Sequence, residues 1–454
     1  MDPTTLSFPC RGFIESVNNR DSKSLAELFS EDCLLIDESI YYRDHEAIRN
    51  WSDHSLVSHE AKIIKILDVR ADSPTAPEVK VLMDGDFVAD YGITEPFPLW
   101  LHFTLPDAGS KEISRLRIDT LEPGTWVHRA VWAAKGLPDA PLDALRCDVL
   151  RVPSPPEGWV RVKMTASSLN QHDVFTLRGV TTPDTKFPVT LGNEGVGMLD
   201  DGTEVLIYPV MSDDAQTQDQ DPGYDITVDP KRHVFGEKVK GLMSEYALVP
   251  AANLVPKPAD LPDTTAAVLG CAWLTAYRML FTASGLQAGQ RMLVQGSTGG
   301  IATGLIQMGA AAGFEVWATG RTAAKREAAL RLGAHRVFPP DAELPAPAHA
   351  VFNLSGAATW EHAMASVANG GVVVVCAIHG GAKVELDIMD LFIRGVTIKA
   401  NYMGTMEEFK SLVEFVSQHK IEPLIDAVIP LEQVRDGLGR MIAGDVQGKI
   451  VVKM

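Results

Sequence analysis

The stretch "RMLVQGSTGGIATGLIQMGAAAGFEVWATG", Arg291 to Gly320, constrains this chain more than any other. An apolar strand ends at Gln295, a tight turn follows, a helix opens, and a second strand ends at Thr319. Gly296, Gly299 and Gly300 let the backbone of the turn Ser297, Thr298 and Ile301 approach a pyrophosphate, whose charge then rests on the helix N-terminus. Ala302 stands where a small residue allows close helix-to-strand packing. The residues just after the second strand select the dinucleotide. An acidic residue there would accept a ribose 2′-hydroxyl, whereas this chain reads "TGRTAAKR". Arg321, with Lys325 or Arg326 one turn on, can clamp a 2′-phosphate, which favours NADP(H) over NAD(H).

The same alternation continues around this turn. "QRMLVQGS", "EVWATG", "RVF", "AVFNLSG", "GGVVVVCAI" and "VTIKANYMG" are strands separated by helical runs, and Val-rich strands of that kind predict a parallel sheet covered on both faces. Before it, from "LEPGTW" (Leu121 to Trp126) to about Lys257, come short strands. The polar, acidic stretch from Met211 to Gly241 reads as a solvated surface excursion. The first third differs again. "FPCRGFIESVNNRDSKSLAELF" gives two short helices around a polar turn, "HEAIRNW" a third, and four alternating runs then predict an antiparallel sheet with one face covered. Helices followed by a curved sheet give an α+β cone.

Composition narrows the class. Lys and Arg number 41 against 59 Asp and Glu, a formal charge of −18, so a phosphate-tracking surface and a nucleic-acid partner are disfavoured. No apolar run reaches the roughly 20 residues that span a bilayer, and the start lacks a secretory pattern, so a cytoplasmic protein is expected. Five scattered cysteines without a CxxC pair argue against disulfides and a structural zinc knuckle.

Residues from about 126 to 454 resemble the zinc-free, quinone-oxidoreductase-like branch of the medium-chain dehydrogenase/reductase superfamily. The motifs that carry the resemblance are "SSLNQHDVFTLRGV", "FPVTLGNEGVG", "LVPKPADLPDTTAAVLGCAWLTAYRML", the glycine turn, "MGTMEEF" and "GKIVVKM". The resemblance implies a GroES-like catalytic domain at 126–255, a Rossmann NADP-binding domain at 256–399, and a return of 400–454 to the catalytic domain. In zinc alcohol dehydrogenases of this superfamily one metal ligand is a Cys three residues before an Asp and another is the His of "GHE". Here Asn170 precedes Asp173, and the motif reads Gly192-Asn193-Glu194. Carboxamides are poor zinc donors, so no metal is expected and the stretch reads as a dismantled zinc site. The resemblance places Asn170, Thr275, Asn353, Ala377, Ile378, His379, Gly320 and Lys449 along the cofactor groove. Asn170 is a candidate hydrogen-bond donor to a developing enolate; His172, Tyr208, Tyr246 and Tyr402 are candidate proton donors, with nothing in the sequence to select among them.

"FIESVNNRDSKSLAELFSEDCLLIDESIYYRDHEAIRNW" resembles the SnoaL-like branch of the NTF2 cone fold, over residues 1–122. Asp37, Tyr42, Trp51, His54 and His59 are candidates to line its cavity, where a buried carboxylate with a His can move a proton at carbon. The expected fold is thus multidomain, an NTF2-like cone followed by a medium-chain reductase. The expected function is NADPH-dependent reduction of an enone, enoyl thioester or quinone, with a small polyketide-like molecule as substrate that the cone binds or cyclises. Two alternatives stay open: a non-redox cyclase or isomerase in the cone with the reductase half as scaffold, and a cone that serves only dimerisation, both families commonly forming homodimers.

Overall fold

The computed structural model describes residues 6–37, 40–70, 73–85, 97–119, 127–151, 155–213 and 224–454. The Pro-Gly break at 121–126, residues 86–96 and part of the acidic stretch at 214–223 lie outside them. The chain divides into two compact units, Met1–Val127 with Val149–Arg151, and the remainder. Among the described residues no helix is long and apolar enough to cross a membrane.

In the first unit, α1 (Phe8–Asn19) buries Cys10, Phe13, Ile14 and Val17, the i, i+3, i+4, i+7 stripe of an amphipathic helix. It stops at Arg20, which takes the left-handed conformation and returns its N–H to Ser16 and Val17. Asp21 caps α2 (Ser22–Ala26), and Asp44 caps α3 (His45–Ser52) by accepting the Ala47 N–H at 2.7 Å. The strands are β1 (Phe29–Asp37), β2 (Ile40–Tyr42), β3 (Lys62–Arg70), β4 (Glu78–Asp84), β5 (Phe97–Thr104) and β6 (Ile113–Asp119), in the order β2-β1-β6-β5-β4-β3. The sheet is mixed, not antiparallel throughout, because β1 runs parallel to β6. Its "SED" breaks the apolar alternation, which hid β1 among the helices in the sequence pattern. Val79, Val81, Leu99, Leu101 and Phe103 alternate onto one face and pack against α1, where Phe13 and Phe103 meet edge-on at 5.8 Å.

The second unit holds two sheet systems. One contains β7 (Val127–Ala133), β8 (Leu145–Arg151), β9 (Trp159–Ser168), β10 (Val189–Thr190), β11 (Gly195–Met198), β12 (Glu204–Ile207), β13 (Val210–Ser212), β14 (Arg232–Val234), β15 (Tyr246–Pro250) and β16 (Leu254–Pro256). A short helix, α4 (Gln171–Leu177), follows β9. The other is the six-stranded parallel sheet of β17 (Arg291–Gln295), β18 (Glu315–Thr319), β19 (Arg336–Phe338), β20 (Ala348–Asn353), β21 (Val367–Val375) and β22 (Thr397–Ala400), with helices that include α5 (Gly300–Ala311), α6 (Ala323–Arg331) and α7 (Ile388–Arg394). Each of the six Val-rich runs becomes one of these strands. Their order, β19-β18-β17-β20-β21-β22, reverses direction between β17 and β20, so the crevice that accepts a ligand opens at the carboxyl ends of those two strands.

The chain then returns. β23 (Ile425–Pro430) and β24 (Lys449–Lys453) join the first sheet system, β24 pairing antiparallel with β9. That return carries Lys449 to the crevice. The segment 224–241 is also no solvated excursion: Ile226, Thr227, Asp229, His233, Val234 and Phe235 are buried. Tyr224, Ser212 and the Lys231 N–H all bond Asp229, and Arg278 pairs with Asp225, which together fasten the segment to the body of the unit.

Candidate active site

The glycine turn is built as a dinucleotide cradle. α5 starts at Gly300 directly beyond β17, and its opening N–H groups face the crevice end. A side chain at Gly300 would press within 2.9 Å of Lys449 Cδ and 3.1 Å of Ala272, so glycine is required by the close approach of β24. Gly448 donates its N–H to the Thr298 carbonyl at 2.6 Å and ties that strand to the turn. Ser297 and Thr298 are buried in it. At the end of β18, a Cβ on Gly320 would lie 2.9 Å from Ser297 Oγ and from Arg326 Cγ, and Arg326 donates to the Gly320 carbonyl. Arg321 stays exposed beside this turn. Thr322 caps α6 by accepting the Lys325 N–H at 3.2 Å.

Next to the cradle, the stretch that looked like a dismantled metal site holds a buried ion pair. Lys449 Nζ lies 2.9 Å from Glu194 Oε1 and donates to the Leu169 carbonyl at 2.7 Å and to Asn170 Oδ1. Its three N–H groups therefore have three acceptors inside the protein. Glu194 also takes the Asn170 amide at 2.7 Å, the Ser168 hydroxyl, and the Cys271 N–H at 2.7 Å. Asn170 Nδ2 further donates to Asn193 Oδ1 at 3.0 Å, and Asn193 reaches Cys271 Sγ at 3.4 Å. Asp173 fixes the frame, accepting the Asn170 and Gly192 N–H groups at 2.8 and 2.9 Å. Burial raises its carboxyl, while the His172 charge and those two amides hold it back.

This donor set does not suit zinc. Asn170, Asn193 and Cys271 converge, yet two are carboxamides, and burial with the neighbouring Glu194 pushes the Cys271 thiol up to about 12, so it is no thiolate at neutral pH. An ammonium already bonded to Asn170 and Glu194 would repel a dication. Among the described residues no group of three or more His, Cys, Asp or Glu is placed to hold a metal ion.

The network also redistributes roles. Both Asn170 N–H groups are used by Asn193 and Glu194, and flipping the amide would set oxygen against carboxylate and nitrogen against ammonium, so Asn170 has no donor left for an enolate. Lys449 is likewise committed to this network. Asn353 is fully buried and spends its side chain on its own turn, accepting the Ser355 and Gly356 N–H groups and donating to the Gly356 carbonyl. Thr275 Oγ1 bonds the Cys271 carbonyl at 2.8 Å. After β21 come Ala377, exposed Ile378 and His379, whose ring stacks on Phe175 of α4 at 5.8 Å. Tyr208 is buried and donates to the Gly404 carbonyl. Tyr246 lies on β15 between Arg161 and His128. Tyr402 packs beneath the Arg232 guanidinium at 4.4 Å, and burial, with Glu237 close by, raises its hydroxyl. His172 pairs with Glu237 at 2.8 Å.

In the first unit Asp37 accepts the Trp51 indole N–H at 2.8 Å, and Tyr42 lies against Trp51. His54 is exposed and His59 turns its Nδ1 to the His54 carbonyl at 3.1 Å. The carboxylate and the histidines are not brought together. Sequence reasoning passed over Glu194, Cys271, Arg232 and Glu237. Glu194 could have been weighed as the one charge in an otherwise apolar motif; the other three had no local signal.

Comparison with known proteins finds the same pairing of a GroES-like domain with a dinucleotide-type domain. Residues 156–259 match the alcohol dehydrogenase GroES-like domain and residues 300–418 the zinc-binding dehydrogenase domain. A zinc-type alcohol dehydrogenase-like protein of Schizosaccharomyces pombe is 28% identical over 65% of this chain and 91% of its own length. An acryloyl-coenzyme A reductase of Sulfurisphaera tokodaii is 23% identical over 66% of this chain and 94% of its own. Among solved structures, an NAD-dependent alcohol dehydrogenase aligns with a TM-score of 0.65 at 27% identity, covering 72% of this chain and 99% of that one. A crotonyl-CoA carboxylase/reductase in complex with NADP aligns at 0.64 and 21%, covering 72% and 95%.

Lys449→Met would leave the Glu194 carboxylate buried without its charge partner. Urea denaturation should show a loss of about 3–5 kcal/mol, with part of it recovered when Glu194→Gln is added. Equal stability of the wild type and the single variant would refute this account of the pair.

Proposed function

The chain belongs to the medium-chain dehydrogenase/reductase family and is an oxidoreductase, and on that premise we propose that it is an NADPH-dependent, zinc-independent reductase of conjugated carbonyl compounds. The observation that carries this reading is the Lys449–Glu194 pair standing among Asn170, Asn193 and Cys271, beside a glycine turn shaped for a dinucleotide. A catalytic zinc polarises the oxygen of an alcohol as it becomes an alkoxide. With donors that disfavour zinc, the substrate must bring its own polarisation, as an enone, enoyl thioester or quinone does. The acryloyl-coenzyme A reductase among the relatives supports an enoyl-type acceptor.

A bound nicotinamide supplies the hydride. The chain's part is to seat it, with the turn at 296–300 taking the pyrophosphate and exposed Arg321 with Lys325 taking the 2′-phosphate. Among the described residues Arg321 and Lys325 have no ion-pair partner, which supports an external anion.

For residues 1–122 we infer a SnoaL-like module in a cytoplasmic protein that handles a polyketide-like intermediate. Asp37 is engaged by Trp51 and His54 faces outward, so the arrangement supports binding over cyclisation. We also infer a homodimer. β22 is a sheet edge with exposed residues, and α7 beside it exposes Ile388, Met389, Phe392 and Ile393 at 64–79%. An open edge with an apolar flank is self-complementary about a two-fold axis.

Replacing Arg321 and Lys325 together with alanine should weaken NADPH binding about tenfold or more, one charge-assisted contact being worth about that factor, while NADH binding stays unchanged in a fluorescence titration. Turnover of an enone should survive exhaustive chelation, and mass spectrometry of the active protein should find zinc far below one equivalent; loss of activity restored by zinc would reverse the reading. Phe392→Glu with Ile393→Glu should convert a dimer to a monomer in sedimentation velocity, and a wild type that sediments as a monomer would remove the dimer.

A further inference from the structure

The reductase reading leaves open which group protonates the reduced carbon, and the surroundings of His172 answer that. His172 lies in the first turn of α4, and Phe175, three residues on, shares its face. Phe175 stacks on His379 just beyond the end of β21, so this face of α4 looks onto the carboxyl ends of the parallel sheet, where the dinucleotide lies.

Opposite His172 stands Glu237, carried by a turn that is built for the purpose. Gly236 adopts φ +80° and its N–H closes on the Val239 carbonyl at 3.1 Å. Thr176, one helical turn after His172, donates its hydroxyl to the Gly236 carbonyl at 2.9 Å and clamps the turn onto α4. The Glu237 carboxylate is then held from two sides, Oε2 by the Val234 N–H at 3.3 Å and Oε1 by His172 Nε2 at 2.8 Å. The side chains of His172 and Glu237 are only 16% and 14% exposed.

A carboxylate accepts and does not donate, so His172 carries its proton on Nε2 and leaves Nδ1 as the atom that gains or loses one. That Nδ1 is buried and has no hydrogen-bond partner among the described residues. A buried polar atom left unmatched is costly, and a catalytic role is one of the reasons a protein keeps one. The charged or titratable groups around the imidazole are Glu237, Asp173 next to it on α4, and the Arg232–Tyr402 pair that adjoins Glu237.

We propose, on the strength of the reductase reading, that His172 is the acid that completes the reduction and that Glu237 is its positioning residue. Once a hydride has bonded to the β carbon, the former C=C electron pair resides in an enolate. The Nδ1–H bond of the imidazolium breaks, the proton bonds to the α carbon, and a neutral imidazole remains with Nε2–H on Glu237. One hydride and one proton are consumed, and solvent returns the proton to Nδ1. Tyr208 is excluded by its bond to Gly404, and Asn170 by its commitment to Glu194.

The test uses the full chain with NADPH and three probes, 2-cyclohexenone, crotonyl-CoA and a benzoquinone. His172→Ala should lower kcat by about 10²- to 10⁴-fold, the usual worth of general acid catalysis, leave the NADPH dissociation constant unchanged, and regain turnover when free imidazole is added. Glu237→Gln should lower kcat at least about tenfold with KM within threefold, a split that loss of a positioned acid produces and loss of binding does not. In the protein without cofactor, proton NMR should show a low-field Nε2–H resonance that disappears in His172→Ala and moves upfield in Glu237→Gln. The assignment is overturned if either variant turns over within twofold of the wild type, if imidazole restores nothing, or if the resonance is indifferent to Glu237. A wild type that binds NADPH but reduces none of the probes would instead bring down the reductase reading, and this assignment with it.

Discussion

A single buried ion pair organises the catalytic half of this protein. Lys449 arrives on the last strand, Glu194 sits in the turn before β11, and around them close Asn170 at the start of α4, Ser168 at the end of β9 and the Cys271 amide of the helical segment that precedes the parallel sheet. Each of these elements is tied to the others by a hydrogen bond to one of the two charges. Burying two charges is costly, and the pair is tolerable because all three Lys449 N–H groups and both Glu194 oxygens have partners. The pair fixes the geometry between the strand-rich domain and the dinucleotide cradle, since Lys449 also packs against Gly300 of that cradle.

The same pair bears on how well a metal would fit here. A metal at this location would have to compete with an ammonium held by three acceptors, and it would find two amides and a protonated thiol as donors. What the site retains is a positive charge with fixed position and no vacant coordination. His172 and Glu237 pair with each other at 2.8 Å.

The first unit follows a different logic. Its α1 stripe and the alternate residues of β4 and β5 make one apolar core, and its polar candidates end up as fasteners: Asp37 ties Trp51, and Asp21 and Asp44 cap helices. Of the two histidines in the turn after α3, His54 is exposed and His59 is half-buried with its Nδ1 on the His54 carbonyl.

Local periodicity and turn chemistry are properties of neighbours, and the sequence by itself determined what neighbours determine. The strand–turn–helix around Gly296, the six strands of the parallel sheet and the polar turn that caps α2 were all readable from runs of a few residues. β1 escaped because three polar residues interrupt its alternation, and the burial of 224–241 escaped because its anchors, Arg278 and Ser212, lie elsewhere in the chain. Only the tertiary structure could decide what meets Asn170, since Lys449 is 279 residues from it, and what stands opposite His172, since Glu237 is 65 residues away. No period or spacing encodes such meetings; they arise from the return of the chain to its first sheet and from one glycine turn clamped by Thr176.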